Sequence, residues 1–496
     1  MDGSFNTILL ASSGLLLVAV VAVRLASRTG LPSLLIYLAI GLAVGEAGLG
    51  VEFSDYSLTA ELGLLALALI LAEGGLTTRW SVVRSVLPFA VVLATFGVAV
   101  SVTVVAGLAY LLLEVDARTA VILGSVVAST DAAAVFTVLR KLPLKARVSS
   151  ALEAESGLND APVVVLVVLA SSTAWGQTSV LAGLGTVVLE LVGGAVLGLV
   201  VGRLGRELLG RAALPTAGLY PLATVALCLL AFATGQALHL SGFLAVYLGA
   251  LVLGNSPLPH RRAVLGFASS TALLAEAGLF VMLGLLASPE RLLPAVPAAL
   301  VIGAAATFLA RPLAVALSAL PFRLPWREQA FMSWAGLRGA VPIVIATIPV
   351  TEGLAGAEQV LDVVFVLVVV YTLIQAPTLP SVGRRLGIVE SGQALDVEIE
   401  VAPLEQLKAD LLQVRVGPRS RLHGVYVEEL RLPKGAYVTL IVREGHSLVP
   451  DQNTYLVRGD QLLIVTTGAA RHEAEARLRA VARGGKLARW NGELGG

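Results

Sequence analysis

GSVVASTDAAAVFTVLRKLPLKARVSSALEAESGLNDAP, residues 124–162, decides how the whole chain is read. Two apolar segments, each long enough to cross a bilayer, flank a basic turn and carry acids near their centres. These are Asp131 in the first segment, and Glu153, Glu155 and Asp160 in the second. Charge at that depth is costly, so in a membrane segment it marks function. The other reading, acids inside a soluble helical core, conflicts with the hydrophobicity on both sides.

The composition agrees with a membrane protein. The chain has 496 residues, 56% hydrophobic and 14% charged, with 50 glycines and a mean hydropathy of +0.86, outside the usual globular range. A net charge of +1 accumulates no basic face, which argues against nucleic acid as a partner. The lone Cys228 lies in an apolar run and excludes an intrachain disulfide framework or a thiolate metal site. MDGSFNTILL at the N-terminus lacks the positive region of a signal peptide, so residues 6–27 read as a retained first span.

On a span length of roughly 20 residues, thirteen segments are expected: 6–27, 33–50, 58–76, 86–113, 117–139, 147–171, 180–202, 215–238, 241–255, 263–287, 293–319, 328–350 and 359–381. The second and ninth are short or glycine-rich, and fit either a tilted or a partly re-entrant segment. The loops test this count. Seventeen Lys and Arg fall on one side, among them Arg140, Lys141, Lys145, Arg147, Arg384 and Arg385, against Arg118 and Arg291 on the other. By the positive-inside rule the N-terminus is outside and everything after Arg385 is cytoplasmic, in a multi-pass protein of the cell membrane.

The expected domains are a transmembrane unit over 1–385, a linker over 386–395, a small cytoplasmic α+β domain over 396–468, and a C-terminal helix and tail over 469–496. DLLQVRV, AYVTLIVRE and DQLLIVTT alternate and are rich in β-branched residues, as strands are. Between them VYVEELRL can form a short helix, and RHEAEARLRAVAR is amphipathic at helical spacing.

The central stretch can now be read with its orientation. In span six Ser156 and Asp160 are four residues apart, as are Glu155 and Asn159, so one region of one helix carries a polar cluster. Burial favours the neutral form of any carboxylic acid. An acid halfway across can therefore hold a proton or a small hard cation, but not comfortably both. In span five Thr130-Asp131 falls mid-membrane, where residue types that favour helix starts predict a break; the alternative is an unbroken helix with Thr130 bonded back to a carbonyl. Span twelve, FMSWAGLRGAVPIVIATI, supports the break, because Gly336, Arg338, Gly339 and Pro342 cluster at the same depth. With span seven as a connector, spans five and twelve are each fifth in a six-span half. Corresponding interrupted segments are the pattern of inverted-repeat transporters. Asp131 would then offset helix N-ends and Arg338 helix C-ends. Arg311, in FLARPLAV, has no local acid, and its expected partner is Glu155. Glu190, Glu276, Asp362 and His239 read as helix-contact, vestibule or interfacial residues.

Thr130-Asp131, ESGLND in span six, FLARPL and WAGLRGAVP together resemble the cation/proton antiporter family of the NhaP type, relatives of the animal sodium/proton exchangers. The resemblance spans nearly all of residues 6–385. It implies an NhaA-like antiporter fold of thirteen helices, with two unwound crossing helices in a core domain and a dimerisation domain that makes a homodimer. It implies that Asp160 carries the ion or the proton, that Asp131, Thr130, Ser156 and Asn159 surround it, that Glu155 pairs with Arg311, and that Glu73 is an acid near the ion path. Asn159-Asp160 offers one titratable acid where an Asp-Asp pair would offer two, and the resemblance implies electroneutral exchange of one K+ or Na+ for one H+. Residues 396–468 resemble a TrkA-C domain, the C-terminal regulatory subdomain of potassium-conductance regulators (RCK-C). That tilts the cation toward K+ and implies a regulatory small molecule such as a nucleotide or cyclic dinucleotide; no GxGxxG segment precedes it. The same domain occurs on potassium channels, but no TVGYG-like filter is present. No nucleophile elbow or His-rich constellation points to an enzyme, and no resident cofactor is implied.

Overall fold

The computed structural model describes residues 33–46, 48–51, 53–131, 144–173, 175–177, 179–389, 397–404, 409–417 and 420–485, with isolated positions between 13 and 21. Two compact units divide the chain, Met1–Ile388 and Val389–Gly496.

Among the described residues the first unit is helical. Its elements are α1 (Ser33–Val44), α2 (Tyr56–Thr77), α3 (Leu87–Leu112), α4 (Ala117–Ala128), α5 (Ala146–Ser171), α6 (Val180–Arg211), α7 (Leu219–Ala237), α8 (Gly242–Gly254), α9 (Arg261–Leu286), α10 (Pro289–Phe322), α11 (Trp326–Trp334), α12 (Ala340–Thr351) and α13 (Ala357–Arg385). Among the described residues eight helices are long and apolar enough to cross a membrane, and α1, α4, α8 and α12 are shorter apolar helices. The chain is a helical polytopic membrane protein. Each span expected from 33–50 onward coincides with helix, and two are interrupted. The expected first span, 6–27, and the far half of the fifth lie largely outside the described residues.

Helix starts follow the expected chemistry. Asp55 accepts the Leu58 N–H at 2.9 Å, and Ser179 accepts that of Ala182 at 3.2 Å. Small residues set the packing where helices cross, as is usual where lipid gives no hydrophobic drive to association. At the α1–α9 crossing a Cβ on Gly41 or Gly284 would run into the backbone of the opposite helix. Leu184, Val188, Val192 and Val196 of α6 point outward, as on a lipid-facing helix. Two π-helical turns, Leu93–Gly97 and Ala306–Ala310, interrupt α3 and α10, and the second directly precedes Arg311. Such turns re-aim the residues after them.

The second unit is a small α+β domain. Its sheet runs in the order β1 (Val397–Leu404), β2 (Ala409–Val416), β5 (Gln461–Thr467), β3 (Ala436–Arg443), β4 (His446–Leu448), with antiparallel pairing throughout. Leu412, Val414, Leu462 and Ile464 alternate onto one face, and Ala474, Leu478 and Val481 of α14 (Arg471–Gly484) pack in the same core. Asp460 is fully buried and accepts Arg443 Nε and NH2, both at 2.9 Å, and the Val457 N–H at 2.7 Å. The hydrogen bond to Asp460 holds the Arg443 guanidinium above its ordinary pKa. It also ties β3 to the turn before β5. The helix expected over VYVEELRL is only one 3-10 turn, Glu428–Leu430. Tyr426 is taken up in a bridge with Tyr455, and Arg431, at φ 47°, turns the chain away before Pro433 can be reached.

Candidate cation site at a helix crossing

Residues Ser129, Thr130 and Asp131 leave the helical conformation after α4, and residues 335–339 do so between α11 and α12. The two breaks meet. The Asp131 N–H donates to the Leu337 carbonyl at 2.9 Å, so each interruption satisfies part of the other's exposed backbone.

Charges sit where the broken helices leave partial charges. Arg338, buried, donates from Nε to the Val127 carbonyl at 3.0 Å, at the C-terminal end of α4. Arg311 NH2 reaches the Met332 carbonyl at 3.5 Å, at the C-terminal end of α11. The Asp131 carboxylate lies against Gly339, at the N-terminal end of α12, where a Cβ would occupy its position. A Cβ on Gly336 would stand 2.7 Å from Arg311 Nε. Both glycines are therefore required by close approach as well as by the helix break.

Helix α5 presents its polar face to this crossing. Glu155 and Arg311, 1% and 6% exposed, form a two-pronged pair with NH1 at 2.6 Å from Oε1 and NH2 at 2.7 Å from Oε2. Asn159 donates from Nδ2 to Thr130 Oγ1 at 2.6 Å and more weakly to Glu155 Oε1 at 3.4 Å. Thr130 Oγ1 is 3.2 Å from Ser156 Oγ and 3.5 Å from Glu155 Oε1. Asp160 is 5% exposed, with Asp131 and Glu155 as its acidic neighbours, and its Oδ1 has no hydrogen-bond partner. The Asn159 Oδ1 is likewise buried and unpartnered. The hydroxyls of Thr130 and Ser156 and the unpartnered oxygen atoms of Asn159 and Asp160 thus lie at the α4 break and on the α5 segment that meets it, and hard oxygen atoms of this kind suit a hard monovalent cation.

Of the residues singled out in the sequence, Thr130, Asp131, Glu155, Ser156, Asn159, Asp160, Arg311 and Arg338 come together here. Glu73 does not join them. It lies on α2, partly exposed, and accepts Ser269 Oγ of α9 at 2.9 Å. Thr372, a buried residue of α13, belongs to the crossing and carries no sequence signal for it; its hydroxyl donates to the Arg338 carbonyl at 2.8 Å. Thr372→Val keeps the shape and strands that carbonyl, at a cost of about 1–3 kcal/mol. Thermal unfolding should show a lower midpoint for Thr372→Val and one near wild type for Thr372→Ser.

The family model for the transmembrane sodium/hydrogen exchangers matches residues 15–385, and that for the TrkA-C domain matches residues 411–479. The K+/H+ antiporter NhaP2 of Shewanella sp. (strain MR-4) is 33% identical over 469 residues, covering 93% of this chain and 81% of its own. The K+/H+ antiporter NhaP of Alkalimonas amylolytica is 35% identical over 474 residues, with the same coverage. Among solved structures, the sodium proton antiporter MjNhaP1 of Methanocaldococcus jannaschii superposes with a TM-score of 0.67 at 21% identity. It covers 76% of this chain and 99% of its own. The first unit has that antiporter's fold.

Proposed function

The chain belongs to the sodium/hydrogen exchanger family, and on that premise we propose that it exchanges K+ for H+ across the cell membrane, one for one, at Asp160. It is an antiporter of the cell membrane with a TrkA-C regulatory domain, not an enzyme. One observation carries the assignment of the site. Asp160 is buried near Asp131 and Glu155 at a crossing of two broken helices, on the helix that carries Ser156 and Asn159, and has an oxygen that no protein group satisfies. A proton neutralises that carboxylate, and so does a monovalent cation; each displaces the other. Alternating exposure of the crossing to the two sides then couples the two flows, and a single titrating acid makes the exchange electroneutral.

In this reading Asp131 and Arg338 hold the half-helix ends at their working separation, and the Glu155–Arg311 pair fixes α5 against α10. Glu73 serves as an outlying acid near the path. Thirteen spans arranged as two six-span repeats around a connector, an outside N-terminus, a cytoplasmic C-terminal domain and a homodimer complete the proposal. K+ is favoured over Na+ by the relatives' activity and by the TrkA-C domain. Proton efflux from proteoliposomes on adding K+, Na+ or Li+ in turn tests the choice. The largest response should be to K+; a response to Na+ alone would assign the protein to sodium.

The TrkA-C domain, or a nucleotide or cyclic dinucleotide bound to it, acts by biasing the antiporter's conformational states, and only as far as affinities for those states differ. Deleting residues 396–496 should change the rate or its pH dependence and leave the order of cation preference intact. A stable truncated protein with altered cation preference would place part of the ion site in the C-terminal domain.

A further inference from the structure

Helix α5 carries a second acid on the face that bears Asp160. Glu153, Gly157 and Asp160 are spaced by four and three residues, so they line up along one side of the helix. Seven residues separate the two acids, about 10 Å along the axis. Asp160 is buried, whereas Glu153 is partly exposed, toward the N-terminal end of α5.

The surroundings of Glu153 are built rather than incidental. Thr78, at the end of α2 and 2% exposed, shares its hydroxyl between the Gly74 carbonyl at 2.7 Å and Glu153 Oε1 at 2.9 Å. Asn255, at the end of α8, holds that turn in place, donating to the Thr78 carbonyl at 2.9 Å and accepting the Trp80 N–H at 2.8 Å. The hydroxyl of Tyr247, also on α8, is buried next to Thr78 and near Glu153, and no group meets it at hydrogen-bond distance and angle. Tyr247 is only 3% exposed, so this is a buried polar group without a partner. Its ring lies flat on α5 at Gly157, where a Cβ would stand 2.5 Å from Cε2 and 2.7 Å from Cζ. The ring therefore covers the helix face between the two acids.

We propose that Glu153, Thr78 and Tyr247 form a second station for the transported monovalent cation, on the cytoplasmic side of Asp160, with the Tyr247 ring closing the helix face between the two. This rests on Asp160 being the ion site. The carboxylate of Glu153 and the hydroxyls of Thr78 and Tyr247 supply hard oxygen ligands where the path is still open to water. The cation gathers there before it displaces the proton on Asp160, and glycine at position 157 leaves room for the ring that separates the two steps. Glu153 raises the local cation concentration and Tyr247 supplies the hydroxyl that meets the arriving ion.

The test is the K+ dependence of proton flux in proteoliposomes of the full chain, with wild type, Glu153→Gln, Glu153→Asp, Tyr247→Phe and Asp160→Asn run side by side. Glu153→Gln should raise the half-saturating K+ about tenfold, the effect of one charge roughly 10 Å away at an effective dielectric of about 20. The maximal rate should change less, and Glu153→Asp should restore part of the affinity. A purely structural role would lower yield and maximal rate and leave half-saturation where it was. If Glu153→Gln is not recovered as folded protein, Tyr247→Phe decides, since the ring stays and only the hydroxyl goes. A half-saturating K+ raised about twofold or more supports the station, and one equal to wild type overturns it. Flux surviving in Asp160→Asn would instead overturn the ion site on which the station depends. A silent Asp160→Asn with unchanged half-saturation in Glu153→Gln and Tyr247→Phe would remove the second station alone.

Discussion

Asp160→Asn should yield a folded protein whose cation-driven proton flux falls to the background of empty liposomes. The amide has nearly the same shape and can still accept a hydrogen bond, but it neither releases a proton nor balances a cation. Stability should hold or rise, because a buried carboxyl whose Oδ1 has no partner is replaced by a neutral group. Asp160→Glu keeps a titrating acid and should retain part of the exchange, with altered cation affinity because one more methylene displaces the oxygen atoms. Wild-type flux from purified Asp160→Asn would mean that another group carries the ion.

Breaking the Glu155–Arg311 pair should have the largest effect on stability. The two side chains meet through both prongs at 2.6 and 2.7 Å with almost no exposure. Arg311→Ala leaves Glu155 with only Asn159 at 3.4 Å and Thr130 at 3.5 Å, too long to compensate a buried charge. The expected cost is about 3–5 kcal/mol, seen as lower yield and a lower melting temperature. Adding Glu155→Ala to Arg311→Ala should restore part of the loss, since the stranded charge is then gone. Thermal melts of the four proteins in the cycle measure the coupling directly; strictly additive losses would mean that the pair contributes nothing as a pair.

The broken helices were legible because their causes are local. Thr130-Asp131 are helix-start residues in mid-span, and Gly336, Arg338 and Gly339 combine two breakers with a charge that hydrocarbon would not tolerate alone. The pairing of Arg311 with Glu155 was expected because a buried cation needs an anion and Arg311 has no local acid, and the resemblance chose Glu155 among the three acids of span six. What the breaks bond to was not legible. Thr372 lies in VVVYTLIQAPT and reads as a helix residue bonded to its own preceding turn, yet its hydroxyl reaches a carbonyl 34 residues away. The second role of Gly336 and Gly339, as room for Arg311 and Asp131, depends on helices brought together by the tertiary fold.

In the C-terminal domain alternation of β-branched residues marks β2, β3 and β5 as strands, but not the two outer strands. VEIEVAPL of β1 alternates too, but its glutamates and its proline resemble linker composition, and pairing with β2 is what makes it a strand. Strand β4 has only three residues, below the length at which periodicity carries information. Glu73 is legible as an acid in span three, but the partner it meets depends on helix rotation, and here it accepts Ser269 Oγ of α9.

The most direct test of the account is proton movement in proteoliposomes of the full chain on addition of K+, measured with and without an imposed membrane potential. Electroneutral exchange at the single acid Asp160 predicts K+-dependent proton efflux at the same rate in both conditions, and none from Asp160→Asn. A potential-driven K+ current without proton movement, or efflux that scales with the potential, would contradict it.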